Sequence, residues 1–233
     1  MWNKIKKIYI GNNLVRPAWW KPWSNTLLYL PFNWNYNDES WKWTTLTLAS
    51  GSIAYSTTTQ WEQYANISSW VILSWLTSNF DINNWTNSQW VYLTSTWVVV
   101  WWYAWWPNQT SVPWSENNWY WTGIIFDSNA KILLFKWNWD IQTNVQITRN
   151  AWHNIIITQW SWTTKIYIDW TQQYSSSVTY SKRAEKIWLF ANPYWTYPNK
   201  FTWRYDEFIL EQWVWDLAQA KQYYNQTKSN YWL

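Results

Sequence analysis

The sequence predicts an all-β protein: a two-sheet antiparallel jelly-roll sandwich with one short C-terminal α-helix. Three observations predict it. From Leu27 onward, short apolar or alternating runs are broken by polar turn clusters roughly every 8 to 15 residues, the rhythm of sandwich strands. Helical spacing emerges once, after Asp216. Between the runs, Asn-Trp and Asp-Trp stand where hairpin turns ordinarily place Asn-Gly and Asp-Gly. A length of 233 residues suits one such domain, since sandwiches and barrels run to about 200 to 250.

A basic leader over 1–26 comes first, with a strand-like piece from Ile5 to Ile10 and a linker containing Pro17 and Pro22. The predicted strands, rich in β-branched and aromatic residues, then follow in order. They are Leu27 to Phe32, Thr45 to Ala49, Gln63 to Ile67, Ser88 to Leu93, Trp97 to Tyr103 and Thr122 to Asp127. Lys131 to Lys136, Ile141 to Ile147, Trp152 to Thr158, Lys165 to Asp169, Lys186 to Phe190 and Arg204 to Glu211 complete the set. Asp216 is placed to cap a helix over 216–228, with Gln219 completing a capping-box pair and Leu217, Ala220, Lys221 and Tyr224 at helical spacing. Residues 27–228 are thus expected to be one domain, and 229–233 its tail.

Tryptophan and glycine have exchanged frequencies: the chain holds 32 Trp and 3 Gly, where average usage would give about 16 glycines. Position is more telling than number. Asn33-Trp34, Asn84-Trp85, Asn118-Trp119, Asn138-Trp139 and Asp169-Trp170 look like turn dipeptides, and Trp160 and Trp162 sit among small polar residues between two strands. Two-residue hairpin turns need φ > 0, which glycine adopts without a Cβ clash and tryptophan does not. The pattern predicts that most tryptophans are glycines of the natural protein, written as Trp by translating a reassigned UGA codon. The alternative, aromatic platforms that stack on sugars or bases, explains the Trp excess but not the Gly deficit. Trp90 and Trp152 inside strand-like runs, Trp215 before the helix and Trp23 are expected to be true indoles; Trp102 is undecided.

Seventeen Lys and Arg against thirteen Asp and Glu give a net charge of +4. The clearest basic cluster is Lys4, Lys6 and Lys7, too thin for nucleic acid, which wants a basic stripe or a recognisable module. Without cysteine there is no disulfide framework or thiolate site. Met1 to Lys7 lacks the apolar run of a signal peptide, and the most apolar stretch, Trp97 to Trp106, is too short to span a membrane.

Phosphate-loop and dinucleotide motifs are missing even with every Trp read as Gly. The single histidine, His153, reads as a surface or edge-strand residue after a core Trp, and one His without Cys is a poor basis for zinc. The best acidic cluster is Asp206-Glu207-Phe208-Ile209-Leu210-Glu211. Strict alternation would put Glu207, Ile209 and Glu211 on one face and Asp206, Phe208 and Leu210 on the other. At about 3.3 Å per residue, Glu207 and Glu211 would lie about 13 Å apart, beyond the roughly 5 to 9.5 Å of glycoside hydrolysis.

With glycine at the suspect positions, the chain resembles laminin-G-like (LamG) jelly-roll domains of the concanavalin A-like lectin/glucanase superfamily. Leu27 to Phe32 with Asn37-Asp38-Glu39-Ser40-Trp41 resembles the family's first strand and its Asn-Asp-x-Ser-Gly turn. Ala151-Trp152-His153-Asn154, then Tyr167-Ile168-Asp169-Trp170, resembles its Trp-His strand and the hairpin that ends in Tyr-x-Asp-Gly. Phe201-Thr202-Trp203-Arg204-Tyr205-Asp206-Glu207-Phe208 resembles its Phe-x-Gly-x-Ile-Asp-Glu-Val segment, and the helix falls where the family has one. The resemblance implies fold more than function, because these residues are mostly structural. The glucanase Glu-x-Asp-x-x-Glu motif is absent. Some LamG domains carry calcium, but its ligands match no residues here, so no cofactor is expected and metal is left open. The leader through Ala18 resembles segments that precede such domains in phage tail or other virion-associated proteins, which implies docking onto a neighbouring subunit.

These readings converge on a non-enzymatic surface-binding or adhesion module for a glycan or a surface protein, at a virion or extracellular surface, without nucleic acid or a membrane span. A glycoside hydrolase or lyase on the same fold and a purely structural assembly domain are the alternatives. Tyr103, Asn108, Tyr120, Asn192, Tyr194 and Tyr197, in loops at the rim of the concave sheet, are the candidate ligand residues, because aromatic faces and amides engage sugar rings and hydroxyls.

Overall fold

The computed structural model describes residues 8–10, 13–15, 25–32, 37–40, 46–50, 53–57, 63–68, 72–76, 81, 83–94, 98–104, 121–127, 129–136, 139–178, 186–189, 202–228 and 231. Strands β1 (Ile8–Ile10) and β2 (Asn13–Val15) pair with each other as a separate two-stranded sheet. They are followed by β3 (Thr26–Leu30), β4 (Thr47–Ser50), β5 (Ala54–Thr57), β6 (Gln63–Ser68), β7 (Ile72–Leu76) and β8 (Asn84–Leu93). Next come β9 (Val98–Ala104), β10 (Trp121–Phe126), β11 (Lys131–Lys136), β12 (Trp139–Gln146), β13 (Trp152–Trp160) and β14 (Thr163–Ile168). The chain closes with β15 (Thr171–Ser177), β16 (Lys186–Leu189), β17 (Thr202–Glu211) and α1 (Leu217–Thr227). β2, β5, β7 and β15 were not among the predicted strands.

Two antiparallel sheets form a β-sandwich with one short C-terminal helix. One sheet runs β12-β11-β10-β9-β16-β7-β4; the other runs β15-β14-β13-β8-β17-β6-β5, with β3 also paired to β17. Between them lies the main core. Leu28, Leu30, Val91, Ile155, Ile157, Ile166 and Phe208 of one sheet meet Phe126, Ile132, Leu134 and Val145 of the other.

Under α1 the second sheet is covered on both faces. Ile155 and Ile157 enter the main core, while Ile156 points the other way, into a cluster with Tyr29, Tyr167, Ile209, Trp215, Ala220 and Tyr223 under α1. That is why β13 reads as an unbroken apolar run rather than an alternating one. On β12, buried Thr143 and Val145 alternate with exposed Asn144 and Gln146, the pattern of a strand with one face in water.

α1 starts as predicted: Asp216 Oδ1 accepts from Gln219 N (2.8 Å) and Gln219 Oε1 accepts from Asp216 N (3.0 Å), a complete capping box. Its buried face is Ala220, Tyr223, Tyr224 and Thr227. Leu217 and Lys221, expected on that face, are exposed, because the sheet meets the helix along a stripe set one position round.

The hairpin between β14 and β15 follows the turn chemistry. Asp169 and Trp170, between the paired residues Ile168 and Thr171, have φ of 48° and 65°. Both values lie in the left-handed region, which a primed turn requires and which penalises a Cβ. Other turn expectations need correction. Trp85 is the second residue of β8 and is buried in the main core, so Asn84-Trp85 is no turn. Lys136 pairs with Trp139, which makes Trp139 the first residue of a strand. Asn33-Trp34 and Asn118-Trp119 lie outside the described residues.

Candidate functional site

Of the predicted ligand residues, Tyr103 alone is described. Its backbone on β9 pairs with Thr122 of β10 and Ile187 of β16; Asn108, Tyr120, Asn192, Tyr194 and Tyr197 lie outside the described residues. Strand direction nevertheless separates their points of attachment. Residues 105–120 join the end of β9 to the start of β10, where Ala104 pairs with Trp121. β16 runs against β9, pairing Lys186 with Ala104 and Leu189 with Trp101, so the chain toward Asn192 leaves at the other end of the sheet.

The acidic segment shows where the sequence pattern fails. β17 pairs through Thr202 to Tyr205 with β6 and through Phe208 to Glu211 with β3, and its register with β8 slips between Asp206 and Ile209. Glu207 sits at the slip with φ 50°. A bulge of this kind re-aims side chains. Asp206 therefore does not share a face with Phe208 and Leu210: Asp206, Glu207 and Glu211 all bond to the helix side, while Tyr205, Phe208 and Leu210 enter the main core.

All three carboxylates are buried and engaged. Asp206 Oδ2 accepts from Tyr231 Oη (2.7 Å), and its Oδ1 accepts from Glu207 N (2.8 Å). Glu207 Oε2 accepts from Tyr223 Oη (2.8 Å). Glu211 accepts from Trp215 Nε1 (2.5 Å) and Thr26 Oγ1 (2.9 Å). Desolvation raises its pKa to about 7, although both hydrogen bonds pull it down. Burial, with Asp206 and Glu207 adding to it, holds the Tyr231 phenol well above its usual pKa, so it remains a donor. Such carboxylates brace a helix and are closed to substrate. Nor do they fit calcium, which takes six or more oxygens in an open cage; among the described residues no group of three His, Cys, Asp or Glu is placed to hold a metal.

His153 is neither on an edge strand nor idle. β13 lies between β8 and β14, and its ring Nδ1 bonds Asp169 Oδ2 (2.7 Å) while Nε2 bonds Thr148 Oγ1 (2.7 Å). Asp169 Oδ1 accepts from Asn154 N (2.9 Å). The His-Asp pair thereby fastens the primed turn to β13.

Sequence reasoning missed a second cluster, on the outer face of the same sheet beyond the helix. Arg204 lies opposite Tyr92, and Tyr92 opposite Trp152, across β17, β8 and β13. The Arg204 guanidinium sits 4.5 Å from the Tyr92 ring centre and 5.2 Å from that of Tyr64. Trp152 meets both tyrosines edge-on, each at 5.7 Å, and Tyr231 packs over Trp90 and Trp152. Four strands far apart in sequence build this cluster, so only the register reveals it.

A sandwich of two antiparallel sheets with a helix clamped to one of them defines the class of fold. Several solved domains share it. Domain 4 of AbnA, a GH43 extracellular arabinanase from Geobacillus stearothermophilus, in complex with arabinotriose, superposes with TM-score 0.64 at 17% identity over 85% of this chain and 97% of that one. The binding domain of botulinum neurotoxin DC, in complex with rat synaptotagmin II, gives TM-score 0.66 at 14% identity over 86% of this chain and 51% of that one. The binding domain of Paraclostridial Mosquitocidal Protein 1 gives 0.65 at 16% over 86% and 52%. This chain spans about half the length of the toxin domains. At these identities the likeness establishes the fold. No family model matches the chain, and no curated protein matches its sequence. No helix among the described residues is long and apolar enough to cross a membrane.

Proposed function

We propose that the chain is a non-enzymatic binding module for a glycan or a surface protein, carried by a phage tail, another virion-associated protein or a cell surface. The observation that carries it is the fate of the carboxylates. The best acidic cluster of the sequence is spent on Tyr223, Tyr231, Trp215 and Thr26 beneath α1, leaving no acid pair there for hydrolysis. Superposition on domains solved with arabinotriose and with synaptotagmin II supports the binding role. A glycan array, with each hit then incubated and checked for cleavage, tests it. Binding without product is the expected result; cleavage of a bound glycan, or silence across both the array and a panel of surface proteins, overturns it.

The LamG assignment and the UGA reading belong to the same proposal. Asp38, in the turn likened to the LamG motif, accepts from Tyr29 N (3.0 Å), Ser40 N (2.8 Å) and Ser40 Oγ (2.7 Å), a side chain organising its own turn. Trp170 at φ 65° supports glycine in the natural protein at that position, whereas Trp85 in the core speaks for a true indole there. UGG codons at 160, 162 and 170 would rule out the UGA reading. If the glycine-restored sequence fails to match a LamG family model, the assignment falls. The leader is proposed to dock on a neighbouring virion subunit, with 27–228 as the binding domain. Deleting 1–26 is then expected to release the protein from particles with which it otherwise sediments, and unchanged sedimentation would contradict this.

A further inference from the structure

We propose that Arg204, in cation–π contact with Tyr64 and Tyr92, reads the carboxylate of an acidic sugar on the outer face of the eight-stranded sheet. This rests on the glycan-binding role proposed above and names the ligand class. Stacking occupies the faces of a guanidinium, whereas its five N–H donors point outward in the plane. Both tyrosine rings hold the Arg204 guanidinium in cation–π contact. Among the described residues no carboxylate pairs with Arg204 and no hydrogen bond engages its side chain, although the group is only half-buried. Arginine held this way is pre-organised: the rings have already restricted its rotamers, so little freedom is lost when a carboxylate takes two parallel bonds along the edge. Trp152 packs edge-on against both tyrosines.

Tyr92 is also half-buried and therefore reaches the surface beside Arg204, while Tyr64 and Trp152 are buried beneath it. The surface offers one fixed cation beside one aromatic ring with a hydroxyl. That is the complement of a pyranose bearing a carboxylate, in which the ring C–H face lies against the aromatic and the acid lies on the arginine. A flexible acidic peptide matches the charge but not the flat apolar face.

The test compares binding of 3′-sialyllactose, a glucuronic-acid oligosaccharide, lactose and polyglutamate to the full chain and to Arg204→Lys and Arg204→Gln. Arg204→Lys keeps the charge and the stem but lacks the planar fork, and circular dichroism checks that each variant is folded. The acidic sugars are expected to bind best and to weaken about tenfold or more in both variants, the scale of losing one charge-assisted bidentate contact. Equal binding of lactose, acidic binding unchanged in both variants, or polyglutamate binding as tightly as the sugars would overturn the assignment. Neutral glycans binding independently of Arg204 would sink this inference and leave the binding-module role standing; no sugar binding at all would remove the glycan role itself.

Discussion

The β14–β15 hairpin and the helix-covered face of the same sheet use tryptophan in opposite ways. At the hairpin and the neighbouring β13–β14 turn, Trp160, Trp162 and Trp170 are 69%, 64% and 37% exposed. On the covered face, Trp90, Trp152 and Trp215 are at most 6% exposed. Each of these is held from several sides. Trp90 Nε1 donates to Thr227 Oγ1 (3.1 Å), Trp215 Nε1 donates to Glu211, and Tyr231 stacks 4.0 Å over Trp90. The exposed indoles have little comparable: Trp170 has the Lys221 ammonium 4.5 Å over its ring, and its backbone is in the conformation that penalises a side chain. One set is structural and the other could be removed with little loss or with gain. Abundance of aromatic surface is therefore poor guidance to a sugar site in this chain.

The contrast breaks first, if it breaks, at Trp90. Trp90→Ala empties a fully buried site and removes the indole N–H that the Thr227 hydroxyl accepts; a loss of about 3 to 5 kcal/mol is expected, measured by urea unfolding. A loss below 1 kcal/mol would mean the covered face is no core.

Glu211 comes second. Its folded pKa of about 7 lies above the ordinary 4.5, so between those values the unfolded chain gives up a proton that the folded one keeps. Stability is therefore full below about pH 4.5 and declines up to about 7, by a total of about 3 kcal/mol. Glu211→Gln, whose amide can donate to Thr26 and accept from Trp215, is expected to flatten that decline in melts taken across the range. A wild-type profile that rises over the same interval would contradict the assignment.

Smaller effects separate cap from turn. Asp216→Ala removes the N-cap of α1 and is expected to cost about 1 kcal/mol, read as a lower melting temperature. Trp170→Gly relieves the left-handed strain at the loss of an exposed cation–π contact, for a net gain of about 0.5 to 1 kcal/mol. That is a rise of roughly 1 to 4 °C for a chain of this size; a fall would show that the indole belongs at the turn.

The strands that line the core were legible because burial imposes composition. Lys131–Lys136 emerged with its bounds intact, and α1 was signalled by its own cap. β15 was not, since Thr171–Ser177 is an exposed edge strand with hardly a buried residue, and its pairing with β14 owes nothing to apolar alternation. The faces of Asp206 and Glu207 were misassigned because one bulge breaks the period of 2. The Arg204 cluster was invisible for a different reason. Its members share no sequence neighbourhood, and cross-strand register exists only once the sheet is formed.

The most direct measurement is a glycan array run side by side on the full chain and on the triple variant Trp160→Gly, Trp162→Gly, Trp170→Gly. The same glycans bound by both, with carboxylate-bearing ones foremost, is the predicted result. Loss of the bound set in the triple variant would make the exposed indoles the sugar platform and contradict the division between structural and dispensable tryptophans.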